Sequence, residues 1–366
     1  MVIDNNEPNF YELLILPEQD KNLPSFRLGL SGNKGFHTYE LCFGSLLAIH
    51  DWIKDNPSHK IELFWEDDSI SGINDISAAE RLVNKGVQAV IGHLSSTEAL
   101  RAAPIYNVNN ILYLAPASTE LSLTEKEYNN VLRICGKDNY LAEKVVDFIL
   151  NFNCTNKYVS IIWEDIIHGR SLSNQVEKYL SKKKSCTILK QKWDVQINFN
   201  DLNIKRSNII FFAGIYQSAL EFLRKLKEVD YRGIIILGDD CFIDEFAKEL
   251  KNNNENLYVV STGRNNNHSY YDTFSKNYKN ISGTQVGAYS ITSYVATSLL
   301  LSTLPILQRK GIKECINSIC SLLRTECTLL GNIQLDDRGD LENFPWDVYQ
   351  IKSSEFIPVT LKEGSF

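Results

Sequence analysis

The rhythm of the chain between residues 26 and 263 constrains its fold most. Short apolar runs at 26–32, 61–66, 87–93, 111–116, 158–163, 185–193, 209–213, 233–238 and 257–261 alternate with amphipathic stretches. Several of these runs are continuously apolar rather than alternating, as expected of parallel strands buried on both faces. Between them, Ile76, Ala79, Leu82 and Val83 share one helical face, and Leu141, Val145, Phe148 and Ile149 share another. This alternation predicts an α/β fold of doubly wound, Rossmann-like parallel sheets. The 366 residues suffice for two or three folding units. Beyond residue 263 the rhythm changes to two long helical segments, 286–309 and 312–324. A strand, a turn around Asp336, Asp337, Arg338 and Gly339, and a final strand at 346–351 then read as a β-hairpin, with a polar tail expected to fray.

Charge and cysteine usage narrow the function classes. A formal net charge of -7 argues against nucleic acid, whose phosphates need a basic face. The short run Lys182, Lys183, Lys184 reads as a solvated helix end. Cysteines at 42, 135, 154, 186, 241, 315, 320 and 327 form no Cys-x-x-Cys and have no histidine at metal-ligand spacing, so no metal or cofactor is expected. A scattered, unpaired set suits a reducing compartment. The most apolar stretch, 294–307, is too short to span a bilayer and reads as a buried core helix. The start carries Asp4, Glu7, Glu12, Glu18 and Asp20 and no secretory signal pattern. It implies a cytoplasmic protein, or a periplasmic one whose export leader has been removed.

Candidate chemistry sits where buried strands end. In the run 90–98 an apolar strand gives way to Ser95, Ser96, Thr97 and Glu98, and Ser95 with Glu98 has the spacing of a capping box. A helix N-terminus there offers unpaired N–H groups to an anion, or is simply an N-cap. The run 111–119 ends in Pro116, Ala117, Ser118 and Thr119. Ligands of open α/β sheets bind outside the carboxyl ends of the strands. A third strand ends in Asp239, Asp240 and Cys241. These carboxylates could hold an ammonium group or cap the helix expected at 243–250. The strand at 158–163 leads to His168.

With these segments in view, the chain resembles the leucine/isoleucine/valine-binding proteins, type I periplasmic-binding-protein-like receptors that serve amino-acid transporters. The resemblance runs from about Phe26 to about Ser353. It rests on Leu30-Ser31-Gly32 with Gly44, Ala48 and Ile49; on Leu82-Val83 followed by residues 86–93 and Ser95-Ser96; and on residues 111–119 followed by Leu123-Thr124. Arg133 with Asp138, and Gly331 with Asp337 and Gly339-Asp340-Leu341, complete the series. The resemblance implies two lobes joined by three crossings, with the ligand between them. The corresponding lobes are 26–137 plus 264–340 and 138–263 plus 341–360, after an N-terminal extension 1–25. It further implies that a ligand carboxylate meets Ser96 and Thr119, and that an ammonium meets the carbonyl of Ala117 and the carboxylate of Asp240.

The chain departs from the family pattern at several of these positions. His37 stands at an aromatic position, His168 replaces a tyrosine, and Asp240 is one methylene shorter than glutamate. The aromatic after the seventh strand falls at Ile215 or Tyr216. Two histidines at an aromatic-lined mouth suggest a ligand more polar than leucine. The ligand-binding set is therefore Ser95, Ser96, Ala117, Thr119, His37, His168, Tyr216 and Asp240. Three functions fit: a cytoplasmic sensor of an amino acid or amide, acting on a regulatory protein partner; a leader-less transporter component; or an enzyme on this fold using His37, His168, Asp240 and Cys241. No catalytic motif supports the last.

Overall fold

The structure, a computed structural model, describes residues 16, 18–33, 35–69, 76–126, 128–152, 154, 156–199, 204–250, 256–262 and 269–359. Most of the expected extension 1–25, the expected lobe boundary at 264 and the tail from 360 lie outside the described residues. In chain order the first elements are β1 (Ser25–Gly32), α1 (Phe36–Asp55), β2 (Lys60–Asp67), α2 (Ala78–Asn84), β3 (Ala89–Gly92), α3 (Ser96–Val108), β4 (Leu112–Ala115), α4 (Ser122–Glu125) and β5 (Val131–Arg133). Next come α5 (Asp138–Asn151), β6 (Lys157–Trp163), α6 (Ile167–Leu180), β7 (Cys186–Lys192), β8 (Ile209–Ala213), α7 (Tyr216–Glu228), β9 (Ile234–Leu237), α8 (Asp244–Glu249) and β10 (Leu257–Thr262). The chain then runs through α9 (Tyr271–Ser282), α10 (Ser290–Ser302), α11 (Leu304–Lys310), α12 (Ile312–Thr325), β11 (Gln334–Leu335), β12 (Leu341–Glu342), β13 (Trp346–Lys352) and β14 (Glu355–Pro358).

Two compact units divide these elements. The first holds the described residues of 1–118, 122–135 and 265–343; the second holds those of 119–121, 136–264 and 344–366. In the first unit a five-stranded sheet has the order β2-β1-β3-β4-β5, every pair parallel. Its inner strands β3 and β4 are buried at every position, as expected where both faces of a parallel sheet are covered. Leu82, Val90, Ala99, Ala103, Tyr106, Tyr113 and Leu123 form one core cluster under this sheet. Each large apolar side chain there contributes about 1.5–3 kcal/mol of burial. Helix α2 begins in a complete capping box, with Ser77 and Glu80 each holding the other's backbone N–H. Ile76 precedes that cap and is exposed, so it does not join the helical face expected for it.

The second unit is built on a seven-stranded sheet of order β14-β13-β10-β9-β8-β6-β7. From β10 to β7 the strands are parallel, whereas β13 and β14 add antiparallel. Trp193, Phe199, Phe212 and Phe222 pack ring against ring in its core.

Three expectations for the last hundred residues need correction. The strand at 346–351 pairs with β10 and β14, and the hairpin around Asp336 and Gly339 is the small β11–β12 pair. The stretch 355–358, expected to fray, is strand β14. The long helix 286–309 is two helices, α10 and α11, bent by 51°. At the break Thr303 turns its hydroxyl back onto the carbonyls of Leu299 and Leu300, and Pro305 starts the new helix, where its missing N–H costs nothing. Among the described residues no single helix is long and apolar enough to cross a membrane.

Candidate functional site

Every candidate on a strand-to-helix turn lies beyond the C-terminal end of a parallel strand, where an open sheet leaves room for a ligand. In the first unit the turn after β3 is set by backbone. Gly92 has φ +147, and a Cβ there would lie 2.2 Å from the Ser31 carbonyl oxygen of the neighbouring strand. His93 follows with φ 50, in the left-handed region that side chains other than glycine rarely adopt. It is fully buried and donates its backbone N–H to the Ser31 carbonyl at 2.7 Å. Its Nδ1 is 2.9 Å from Asp68 and its Nε2 is 2.8 Å from the Tyr106 hydroxyl, while the Tyr113 hydroxyl donates to the Gly92 carbonyl at 3.1 Å. This buried network holds the turn that presents Ser95 and Ser96, and it was not among the expected site residues. A histidine between a buried strand and a hydroxyl run was its only signal.

Ser95 caps α3, its Oγ accepting from the Glu98 N–H at 3.2 Å. The expected box is only half made, because the Glu98 carboxylate turns outward to Arg101. Ser96 is the first residue of α3, and its hydroxyl lies 3.5 Å from that of Ser118. Ala117 and Ser118, after β4, are both buried. Arg133 fixes this second turn. It is fully buried, gives its Nη1–H to the Ser118 carbonyl at 2.6 Å, and pairs through Nε with Asp340 at 2.7 Å. Thr124 donates to both Asp340 oxygens at 2.9 Å. The motif partners Arg133 and Asp138 thus part company: Arg133 serves the first unit, and Asp138 the second. His37 is the second residue of α1; its Nδ1 is 3.0 Å from Glu40 and its ring meets Tyr289 edge-on at 4.6 Å.

The second unit gathers Thr119, Asp138, Glu164, His168, Tyr216, Asp239 and Asp240. His168 likewise is the second residue of a helix, α6. Its Nδ1 lies 3.3 Å from the Thr119 hydroxyl and 3.7 Å from Asp138, and its Nε2 lies 3.9 Å from Asp239. Asp240 serves a helix other than the one that follows it: its Oδ2 accepts the Tyr216 N–H at 2.7 Å, at the start of α7. Glu164 supports the same helix start, accepting from the Ile215 N–H at 2.9 Å and the Ser218 hydroxyl at 2.8 Å. Two carboxylates from different loops therefore stabilise one positive helix end. Asp138, Glu164 and Asp239 are outside the expected set, although Asp138 stands in a motif and Asp239 beside Asp240.

The electrostatics of this cluster are unbalanced. Burial pulls the His168 imidazole towards neutrality, but Asp138, then Asp239, Asp240 and Glu164, outweigh it, and its pKa is raised. Burial lifts the Asp138 pKa, opposed first by His168. A raised histidine stabilises the fold below the ordinary imidazole value of about 6.5 and loses that contribution as pH climbs through the folded value. An aspartate raised by burial likewise loses stability as pH climbs from its ordinary value of about 3.9 through its folded value, so both groups act in the same direction. Thermal midpoints across neutral to mildly alkaline pH should fall in the native protein and fall less in His168→Gln; an equal fall in both would refute the linkage. Cys241 is no activated nucleophile: burial first, then Asp240, Asp239 and Glu164, push its thiol pKa well up. Burial, then Asp240, Glu245 and Glu249, do the same to the Tyr216 phenol.

The chain matches the model of a family described as periplasmic binding protein over residues 53–307. It is 23% identical over 316 residues to the Leu/Ile/Val-binding protein homolog 2 of Brucella abortus, covering 81% of this chain and 80% of that one. A leucine-binding protein of Thermotoga maritima superposes with TM-score 0.77 at 20% identity, over 92% of this chain and 98% of that one. An ABC transporter substrate-binding protein of Desulfitobacterium hafniense, solved in complex with Leu, gives 0.75 at 21%, over 92% and 100%. The strand-end hydroxyls, the glycine-dependent turn and the match across most of its length place the chain in one family: it belongs to the periplasmic binding proteins, as its resemblance to the leucine/isoleucine/valine-binding members implied.

Proposed function

We propose that the chain is a non-catalytic receptor for a free amino acid, whose carboxylate is held by Ser96 and Thr119 and whose ammonium meets the Ala117 carbonyl and Asp240. One observation carries this reading. Ser96 opens the 13-residue helix α3 with its hydroxyl 3.5 Å from Ser118, so two hydroxyl-bearing turns from adjacent parallel strands converge at a helix N-terminus. Ser96 and Ala117 belong to the first unit, and Thr119 and Asp240 to the second. Only a ligand with different affinity for two states can shift the balance between them. The curated relative and the solved complex named above support an amino acid as the ligand. A thermal-shift series of free amino acids and amides tests it. A ligand at a hundred times its Kd should stabilise the protein by about 2.7 kcal/mol. Ser96→Ala should weaken it about 10–100-fold, the loss of a hydrogen bond to a charged group. A series without any shift overturns the reading.

Family membership favours a periplasmic, transport-associated role. Eight free thiols, four of them buried, favour instead a reducing compartment and a cytoplasmic sensor acting on a protein partner. Fractionation of the source cells separates the two, and recovery with periplasmic contents rules out the sensor.

A further inference from the structure

The groups around His168 say more about the ligand, given the amino-acid reading above. The Asp138 carboxylate is completely buried, and neither of its oxygens has a hydrogen-bond partner among the described residues. The Thr119 and Ser171 hydroxyls lie close enough to influence it, without hydrogen-bond geometry. On the other side of the ring His168 Nε2 is also out of solvent and without a hydrogen-bond partner, since Asp239 at 3.9 Å is too far. Gly238 borders this side: a Cβ there would lie 3.3 Å from Leu172 and 4.0 Å from Nε2, so a larger residue would crowd this edge of the ring. A buried polar group without a partner is costly, so native proteins supply one from protein, water or ligand. An imidazole hydrogen-bonded on its Nδ1 edge to the Thr119 hydroxyl presents its Nε2 edge as the unsatisfied one.

We propose that His168 is the specificity-determining residue of the second unit's half-site, and that it selects an amino acid whose side chain ends in an uncharged hydrogen-bonding oxygen, a carboxamide above all. An imidazolium Nε2–H donates to such an oxygen. An aliphatic side chain leaves that donor buried and unsatisfied. A side-chain carboxylate is rejected by the charges that face the ring from every neighbouring element: Asp138 at the start of α5, Glu164 after β6, and Asp239 and Asp240 after β9. The raised pKa of His168 supports the charged donor form near neutral pH. A site built to hydrogen-bond its ligand discriminates strongly against analogues that cannot, whereas a merely apolar pocket discriminates weakly.

Calorimetric titration of the full chain with glutamine, leucine and glutamate, three amino acids of similar size, tests this. Glutamine should bind at least about tenfold more tightly than either of the others, since hydrogen-bonding sites discriminate by that much or more. His168→Phe should erase the preference for glutamine over leucine while leucine binding persists. His168→Gln, which keeps a donor without the charge, should retain the preference over leucine and relax the one against glutamate. It also provides the readout if His168→Phe does not fold. Tight leucine binding by the native chain overturns the inference and leaves the amino-acid reading standing. An equal loss for all three ligands in both variants overturns it too, by reducing His168 to a structural role. Binding of none of the three overturns the inference, and the thermal-shift series then decides the amino-acid reading.

Discussion

Replacing Arg133 by alanine should cost about 3–5 kcal/mol of stability in the first unit, the loss expected when one partner of a buried ion pair is removed. Both members are sealed from solvent: Arg133 is 0% exposed and Asp340 1%. In Arg133→Ala the Asp340 carboxylate keeps the Thr124 hydroxyl but loses the Arg133 guanidinium. Amide exchange in β3, β4 and β5 should accelerate accordingly, while β6 and β8 of the second unit change far less. The paired variant Arg133→Met with Asp340→Leu should recover much of the loss, because apolar groups of similar volume substitute well for a buried pair. Ligand affinity should not recover with it, since the Nη1–H that fixes the Ser118 carbonyl is still missing. If stability and affinity return together, Arg133 is a fold element only.

How much of this was legible in the sequence follows from what each kind of signal reports. Continuous apolar runs such as 209–213 declare a doubly covered strand, and β8 is buried at each of its five positions. The strand ends carrying Ser95, Ser96, Ala117 and Thr119 were equally readable, because a change from apolar to hydroxyl residues marks where a sheet stops. Hydrogen-bond partnership was not. Asp240 looked like a cap for the helix following it in sequence, whereas it caps α7, 24 residues earlier. Arg133 pairs across 207 residues, a separation that no local pattern encodes. The break between α10 and α11 was missed because periodicity continues through Thr303; only the Thr303 hydroxyl bonds and the position of Pro305 reveal it. The helices that carry His37 and His168 begin without a side-chain cap to announce the start, so no local signal marks these residues as helical.

Gly92→Ala should be as damaging as any core truncation, and its effect should reach the ligand. Two penalties combine at this position. The backbone at φ +147 is open to glycine and strained for any L side chain, and the added carbon would lie 2.2 Å from the Ser31 oxygen and 2.8 Å from the Ser31 nitrogen. Neither neighbour can swing away, because Ser31 is paired to Gly92 in the β1–β3 register and its carbonyl also accepts the His93 N–H. Strain and overpacking together should remove about 3–5 kcal/mol. Gly86→Ala supplies the comparison: its φ is also positive, +68, but the nearest atom to a Cβ is the flexible Arg27 Nη1 at 3.3 Å. That variant should lose only about 1–2 kcal/mol, the cost of a left-handed alanine. Because β1 must shift to admit the methyl group, the turn carrying His93, Ser95 and Ser96 shifts with it. Ligand affinity should therefore drop in Gly92→Ala and stay unchanged in Gly86→Ala. Denaturant midpoints and binding titrations on the two variants check both statements. Equal losses of stability would refute the steric argument, and an unchanged affinity in Gly92→Ala would show that this turn does not position the ligand's carboxylate.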